Sequence, residues 1–260
     1  MKQPVVVRVA MDQPLEQAVA NKTIEKVEIH GQFIRFELSS STDLVINLML
    51  AGRLQHQSST DKQEGYLCVS FLLDDNSRLN LCDENKMAKV YVVKPGEYGI
   101  IPKYSGQGID VLSTGFTLEQ FTLLAKQHSR RQVRVFINDH TALRAIGNAY
   151  ADEILFEAQI HPKTFVRTLK EDDLRRLYSS IRKVMAWGIK NVEEAGQPIH
   201  VKVRDHMRVR NRKGEPCPRC GTTIRREGVR GYDVFFCPTC QPASRKLFID
   251  WNRSLPHSGP

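Results

Sequence analysis

Two Cys-x-x-Cys pairs in the last quarter of the sequence constrain this fold more than any other feature. Cys217 and Cys220 form the first pair, and Cys237 and Cys240 form the second, with sixteen residues between the pairs. Each pair can fold as a tight knuckle that directs two thiolates at one ion, and a hairpin between the knuckles completes a tetrahedral shell. The spacing therefore predicts one structural Zn²⁺ ion in a closed four-cysteine site.

Two disulfide bonds are the alternative use of these four cysteines. The sequence contains no signal-peptide pattern, and no run approaches the roughly 18 apolar residues that cross a bilayer. We therefore expect a soluble cytoplasmic protein without membrane contact, where disulfides are rare and zinc is favoured. Gly221, directly after the second cysteine, is typical of a knuckle turn that needs a positive φ. Cys68 and Cys82 lie in predicted strands and are interpreted as buried core thiols.

Positive charge is concentrated in the second half of the chain. Residues 119–260 contain 26 Lys and Arg against 15 Asp and Glu, whereas the residues before them contain 12 and 14. Arg212 and Lys213 precede the first knuckle, and Arg225 and Arg226 lie between the two knuckles. A rigid hairpin that carries cations can lie along phosphates. This distribution favours a nucleic-acid partner over a merely solvated basic face.

Short apolar runs separated by turn residues dominate residues 1–116. The polar turn at 74–77 separates two such runs, which is a hairpin signal. Other runs end at Gly31 and Gly52, and residues 15–20 have the pattern of a short helix. Several short strands with regular turns predict a β-sandwich or a barrel.

Helical signals follow. Thr117 with Gln120 three residues later matches the capping box of a helix N-terminus. Thr168 and Glu171 form a second such pair, ahead of an apolar stripe at helical spacing. A third helical pattern, at 142–156, is interrupted by a Gly-Asn pair. Together these patterns predict a helical bundle between the strands and the cysteines.

Three blocks of sequence resemble the formamidopyrimidine-DNA glycosylase and endonuclease VIII family. Residues 212–221 and 236–241, which contain the four cysteines, resemble the family's zinc finger. Residues 145–156, followed by Ile-His-Pro at 160–162, resemble its helix–two-turn–helix segment. Residues 47–54 resemble the loop that carries the family's wedge methionine. The blocks occur in the family's order, so the chain is identified as a diverged member.

The resemblance implies a clamp in which a β-sandwich and a helical zinc-finger domain hold DNA between them. The family bends DNA, flips out a damaged base and fills the gap with inserted side chains. The expected partner is therefore duplex DNA that is damaged, abasic or distorted, bound by a monomer. The expected fold class is α+β, with an N-terminal β-sandwich at 1–116, a helix–two-turn–helix bundle at 117–200, a C-terminal zinc-ribbon hairpin at 201–245 and a tail at 246–260.

The same resemblance assigns DNA contacts to individual positions. Asn148 would hold the phosphates that flank the lesion, and Arg134 stands where the family has a phosphate-binding lysine. Leu50 takes the place of the wedge methionine. Lys86 and Met87 take the place of an Arg-Phe pair that fills the helix. For Leu50 and Met87 the alternative is ordinary core packing.

Other family positions have changed. The family's nucleophile is an N-terminal proline, which a proton-handling glutamate follows. In this chain Met1 and Lys2 come first, and Pro4 is internal, so its nitrogen is an amide. Gln32 replaces a family lysine, and Tyr232 replaces the finger arginine that grips the lesion phosphate. The segment between the bundle and the zinc ribbon is also too short for the family's base-capping loop.

Two functions from different classes stay open. In the first, the chain binds damaged DNA without excising a base, in the cytoplasm or on a bacterial nucleoid. In the second, it is a DNA glycosylase or abasic-site lyase whose nucleophile is the Met1 α-amine or the Lys2 side chain. The sequence favours binding, because no acid for base excision is evident. An RNA-binding zinc ribbon is a third hypothesis, against which the helix–two-turn–helix block argues.

Overall fold

The structure is a computed structural model that describes residues 7–9, 14–58, 60–61, 65–197 and 201–243. The chain divides into two compact units, Met1–Gly108 with Gln197–Lys202, and Ile109–Gly196 with Val203–Pro260. The candidate nucleophiles Met1 and Lys2 and the predicted tail at 246–260 lie outside the described residues. No helix within the described ranges is long and apolar enough to span a membrane.

The first unit is built from strands and one short helix. Five strands form one sheet in the order β1-β8-β4-β3-β2, and three form a second sheet in the order β5-β7-β6. β1 runs parallel to β8, and the other pairs are antiparallel. The elements are β1 (Val7–Val9), α1 (Leu15–Val19), β2 (Ile24–His30), β3 (Phe33–Leu38), β4 (Thr42–Asn47), β5 (Arg53–Gln57), β6 (Leu67–Leu72), β7 (Arg78–Cys82) and β8 (Lys89–Val93).

The two sheets pack face to face, which confirms the predicted sandwich. Alternate residues of a strand point to opposite faces, so Phe36 and Leu38 of β3 enter a core that Val69 and Leu81 of the other sheet also line. Phe33 of the same strand lies in a separate buried cluster.

The buried-thiol interpretation is also confirmed, because Cys68 and Cys82 are only 1% and 0% exposed. The sequence patterns missed β5, whose segment Arg-Leu-Gln-His-Gln contains a single apolar residue and lies at a sheet edge. The predicted run that ends at Gly52 forms a shorter strand than expected, since β4 ends at Asn47 and a turn follows.

The second unit is helical, with a hairpin near its end. Its elements are β9 (Ile109–Asp110), α2 (Leu118–Gln127), α3 (Val133–Ile137), β10 (Leu143–Arg144), α4 (Asn148–Ala158), α5 (Glu171–Ala195), β11 (Arg225–Val229) and β12 (Tyr232–Phe236). α4 and α5 pack closely: a Cβ added to Gly188 would lie 2.2 Å from Cε1 of Tyr150, so a larger residue at this crossing would have to displace the Tyr150 ring. β11 and β12 form the antiparallel hairpin between the knuckles.

The two predicted capping boxes had different outcomes. The Thr117 hydroxyl accepts a hydrogen bond from the Gln120 N–H, and α2 begins at Leu118 as expected. The second predicted capping box, Thr168 with Glu171, was wrong. α5 begins at Glu171, and the Asp173 carboxylate caps it by accepting from the Lys170 N–H at 3.0 Å. Two further acidic residues in this first turn made the position of the cap ambiguous in the sequence.

The interrupted pattern at 142–156 contains one helix and not two. The segment before Gly147 forms the short strand β10, and α4 starts at Asn148. Gly147 has an extended backbone, so the helical period resumes only after it. The buried helix α3 had no cap signal and was missed.

Candidate nucleic-acid interface and zinc centre

The four predicted zinc ligands come together in the second unit. Their sulfur atoms all lie within 4.8 Å of one another. The sulfurs of Cys217 and Cys240 are 3.8 Å apart, and those of Cys220 and Cys237 are 3.5 Å apart. A tetrahedral site with Zn–S bonds of about 2.3 Å has S···S edges of about 3.8 Å, so the thiols fit one zinc ion. Four sulfur ligands leave no open coordination position, which makes the site structural.

Backbone geometry around the knuckles supports this fit. The N–H groups of Arg219 and Cys240 each point at the sulfur two or three residues earlier, both at 3.4 Å. Gly221 has the expected positive φ of 75°. Hydrogen bonds from the side chain and backbone of Thr222 lower the pKa of Cys220 to about 6, whereas burial raises the pKa of Cys237 and raises that of Cys240 to about 12.

Two buried carboxylates on α4 anchor the zinc module to the helical bundle. Glu153 is fully buried, and its Oε1 accepts from the N–H groups of Arg208, Val209 and Arg210 at 2.9–3.1 Å. The Arg208 guanidinium donates to its second oxygen at 3.2 Å. The backbone that leads into the first knuckle is therefore held by one side chain of the helix.

Asp152, the neighbouring residue, links three elements. Its carboxylate accepts from Nε of Arg134 on α3 at 3.0 Å and from Nη1 of Arg210 at 2.7 Å. The N–H of Phe235 on β12 is 3.4 Å from the same carboxylate. Asp152 and Arg134 are both 0% exposed. The pair is thus a buried junction between α3, α4 and the zinc hairpin.

Arg134, the predicted phosphate ligand, lies in the interior of the second unit. With no exposed surface, its guanidinium lies beneath the N-terminus of α4, where Nη2 donates to both the backbone oxygen and Oδ1 of Asn148 at 3.2 Å. The ion pair with Asp152 offsets the cost of this burial, because a buried charge needs a hydrogen-bonded partner. Arg134 therefore positions Asn148.

Asn148 itself is exposed at the first residue of α4. Since its Oδ1 accepts from Arg134, its amide NH₂ is left to face outward as a donor. The N-cap residue Gly147 has no side chain to satisfy the first N–H groups of the helix. Free N–H groups, the helix dipole and the Asn148 amide together form an anion-binding arrangement.

Tyr232 lies beside this helix N-terminus. Its ring is 5.3 Å from the Arg134 guanidinium carbon, and the residue is 36% exposed. The structure thus brings together three predicted contact residues that are far apart in sequence: Arg134, Asn148 and Tyr232.

The remaining predicted cations differ in availability. Arg212 donates to the backbone oxygens of Met207 and Asp205 and pairs with Glu215, so it holds the local chain together. Arg226 pairs across the hairpin with Asp233 at 2.8 and 2.9 Å. Lys213 and Arg225 are exposed.

In the first unit, strand register brings two loops to one end of the sandwich. Residues 48–52, which we call the wedge loop, connect β4 to β5, and residues 83–88, the filling loop, connect β7 to β8. Asn47 pairs with Lys89 in one sheet, and Arg53 pairs with Cys82 in the other. Both loops therefore cross between the sheets at the same end.

The wedge loop presents an apolar side chain to solvent. Leu50 is 70% exposed, so core packing was the wrong alternative for it. Met49 has a φ of 53°, and its N–H donates to Oδ1 of the buried Asn47. Gly52 closes the loop through a bond to the Leu48 oxygen, and a Cβ there would lie 2.3 Å from that atom.

The filling loop has a similar construction. Met87 is 39% exposed, which also argues against core packing, and Lys86 is exposed with a φ of 52°. The turn between β2 and β3 lies at this end too, because Phe33 pairs with Asn47. Gln32 in that turn is exposed.

Comparisons with known proteins agree with this geometry. Family models match residues 1–90 (Formamidopyrimidine-DNA glycosylase N-terminal domain), 108–197 (Formamidopyrimidine-DNA glycosylase H2TH domain) and 214–243 (Zinc finger found in FPG and IleRS). The formamidopyrimidine-DNA glycosylase of Pelotomaculum thermopropionicum is 30% identical over 248 residues, which cover 92% of this chain and 88% of that protein. The chain belongs to the formamidopyrimidine-DNA glycosylase family.

Solved structures of the family share the fold. MutM (Fpg) from Thermus thermophilus is 27% identical, with a TM-score of 0.76 over 92% of this chain and 90% of that one. Lactococcus lactis Fpg in complex with abasic-site DNA is 22% identical, with a TM-score of 0.77 over 88% of this chain and 86% of that one. The chain thus carries the scaffold of a family of DNA-repair glycosylases.

Sequence reasoning missed the residues that position the site. Asn47, Asp83, Asp152 and Glu153 are all buried polar side chains, and each holds a loop or a neighbouring element. Asp152 and Glu153 lie next to each other within an apolar helical pattern. Two acidic residues in such a pattern indicate buried carboxylates that need hydrogen-bonding partners. Asp83 follows a strand directly, as turn-forming acids do.

Proposed function

We propose that this family member binds duplex DNA at an abasic or otherwise gapped position. One observation carries the proposal: Leu50 and Met87, both exposed, stand on two loops that strand register brings to one end of the sandwich. Apolar side chains at such loop tips can enter a gap between bases, where they replace lost stacking. Lys86 beside them supplies a cation for the backbone.

The second unit supports the same proposal through phosphate contacts. The N-terminus of α4, the outward amide of Asn148 and the Tyr232 hydroxyl offer neutral donors above a buried guanidinium. Lys213 and Arg225 add exposed charge near the zinc hairpin. These contacts fit a polyanion without reading base sequence. Solved relatives include complexes with DNA that contains an abasic site or a Fapy-dG lesion.

We further propose that the chain does not perform the family's usual proline–glutamate excision. Two internal changes support this: Gln32 occupies the place of a family lysine, and Tyr232 occupies that of the finger arginine. Both changes remove a positive charge that would stabilise the reacting sugar-phosphate. We propose action as a monomer in the cytoplasm or on the nucleoid.

A glycosylase or lyase that uses an amine of Met1 or Lys2 is the second candidate, and one observation favours it. β1 enters its sheet at the end where the filling loop lies, because Val7 pairs with Val90 near the start of β8. The amine of Met1 or Lys2 could condense with the C1′ aldehyde of a ring-opened abasic sugar, releasing water, to form a Schiff base.

Borohydride trapping on a duplex with one abasic site, run beside a binding assay on the same DNA, separates the two candidates. Tight binding without a covalent adduct or strand cleavage is the expected result. An adduct that disappears when Lys2 is changed to Ala, or when the N-terminal amine is blocked, would establish a lyase. Equal affinity for abasic and undamaged duplexes would refute damage recognition altogether.

A further inference from the structure

Asp83 organises the filling loop although no motif includes it. The residue is 1% exposed and directly follows β7. Its Oδ2 accepts from the N–H groups of Met87 at 2.8 Å and Ala88 at 2.7 Å, and its Oδ1 accepts from Asn85 at 3.0 Å. One carboxylate therefore satisfies three backbone donors of a six-residue loop, which restricts the loop to one conformation.

The bonds surround the residues that the proposed function needs. The Lys86 N–H donates to the Asp83 backbone oxygen at 3.3 Å, and Lys86 has a left-handed backbone with a φ of 52°. A lysine rarely adopts this conformation unless its neighbours hold it there. Because the N–H groups of Met87 and Ala88 are bonded to the carboxylate, the backbone at Met87 is fixed, and so is the direction of its Cα–Cβ bond.

We propose that Asp83 is the positioning residue for gap filling. This inference rests on the proposed function. By holding the loop ready in the free protein, Asp83 removes the entropic cost of ordering it on DNA. A rigid loop gains most where a gap already exists, because no base has to be unstacked first. Asp83 therefore contributes to the preference for abasic over intact duplex, and contributes little to general DNA affinity.

The chain provides a matched control for this test. Asp75, in the turn between β6 and β7, accepts from the Ser77 N–H at 2.8 Å and so makes the same kind of contact. Its turn lies at the opposite end of the strands, since Arg78 pairs with Gln57 whereas Cys82 pairs with Arg53. Asp75→Ala removes a turn contact away from both loops.

The experiment compares wild type, Asp83→Ala, Asp83→Asn and Asp75→Ala as zinc-loaded full chains. Affinity is measured at one salt concentration for a duplex with a tetrahydrofuran abasic analogue and for the same duplex undamaged. Hydrogen exchange at the amides of Met87 and Ala88 is measured in the free proteins. Thermal unfolding is recorded for each variant.

Asp83→Ala should lower the ratio of abasic to undamaged affinity about tenfold, because the loop must then be ordered on binding. Its affinity for undamaged duplex should stay within about twofold of wild type. The affinity ratio of Asp83→Asn should lie between those of wild type and Asp83→Ala, because one acceptor oxygen remains. Exchange at Met87 and Ala88 should accelerate in both Asp83 variants and stay unchanged in Asp75→Ala.

Other outcomes overturn the inference in distinguishable ways. If wild type prefers the abasic duplex and Asp83→Ala keeps the full preference, Asp83 does not position the loop for binding. An equal loss in Asp75→Ala would mean that general destabilisation, and not loop position, is responsible. If wild type shows no preference, the proposed function fails and this inference fails with it.

Discussion

The candidate DNA contacts of the two units are supported differently. In the first unit they are single side chains at loop tips, such as Leu50, which is 70% exposed. In the second unit, Asn148 is held by buried charged residues. Each loop is held by one polar residue at a strand end, Asn47 or Asp83. Asn148 instead rests on Arg134, which in turn rests on Asp152. The first arrangement defines where a side chain can be inserted, and the second defines where a phosphate can lie.

This difference separates the sources of specificity and affinity. Inserted apolar side chains respond to a gap in the base stack, which only damaged duplex offers. Neutral and cationic donors respond to phosphates, which every duplex has. Changes to the apolar loop tips of the first unit should therefore alter discrimination, and changes to the phosphate contacts of the second unit should alter affinity for all DNA.

Zinc removal should have the largest effect. Without the ion the two knuckles lose their common centre, and the hairpin that carries Tyr232 and Arg225 no longer folds. We expect DNA affinity to be lost, by chelation or in Cys237→Ser, with readdition of zinc restoring it only in wild type. Electrophoretic mobility shifts with and without chelator measure this. Undiminished affinity of the metal-free protein would contradict a structural role for the ion in binding.

Asp152→Ala should have the next largest effect, on the stability of the fold. It leaves Arg134 buried without its ionic partner, which typically costs about 3–5 kcal/mol of the free energy of unfolding. The control is Asp233→Ala, which removes an exposed partner of Arg226 and should cost less than about 1 kcal/mol. Chemical denaturation of both zinc-loaded variants provides the comparison. Similar losses in the two variants would show that burial does not distinguish these pairs.

Asn148→Ala should weaken binding to every duplex by about tenfold, because it removes a hydrogen bond to a charged phosphate while the helix N-terminus remains. Affinity should be measured for abasic and undamaged duplexes of one sequence. If Asn148 contacts a phosphate, the affinities for the abasic and the undamaged duplex should fall by the same factor. A loss confined to one lesion or base would assign Asn148 to base recognition.

Leu50→Ala should have the smallest and most selective effect. Truncation removes the apolar wedge without disturbing the loop, which depends on Asn47 and Gly52. We expect a loss of a few-fold on abasic duplex, about what the burial of one methylene group contributes, and none on undamaged duplex. Fluorescence of 2-aminopurine opposite the abasic site reports insertion directly. Unchanged emission in the variant would show that Leu50 does not enter the stack.

Parts of the molecule with a strict chemical requirement were predictable from residues alone. Four cysteines at knuckle spacing admit few structures besides a zinc site, and Gly221 adopts the positive φ expected. The Thr117 cap and the alternation that buries Phe36 and Leu38 follow from local hydrogen bonding and strand periodicity. The paired capping signal at Thr168 failed because three acidic residues in succession offered competing caps.

Only the tertiary structure decided which polar side chains are buried and what they hold. Arg134 and Arg226 are the same type of residue, yet Arg134 is fully buried against Asp152, whereas Arg226 pairs with Asp233 at the surface. Likewise, register alone brings the wedge and filling loops to one end, through pairs such as Asn47 with Lys89. Sequence determined the local elements and the metal chemistry, because both depend on residues a few positions apart. Burial and register depend on partners far away in the chain, and no short pattern records them.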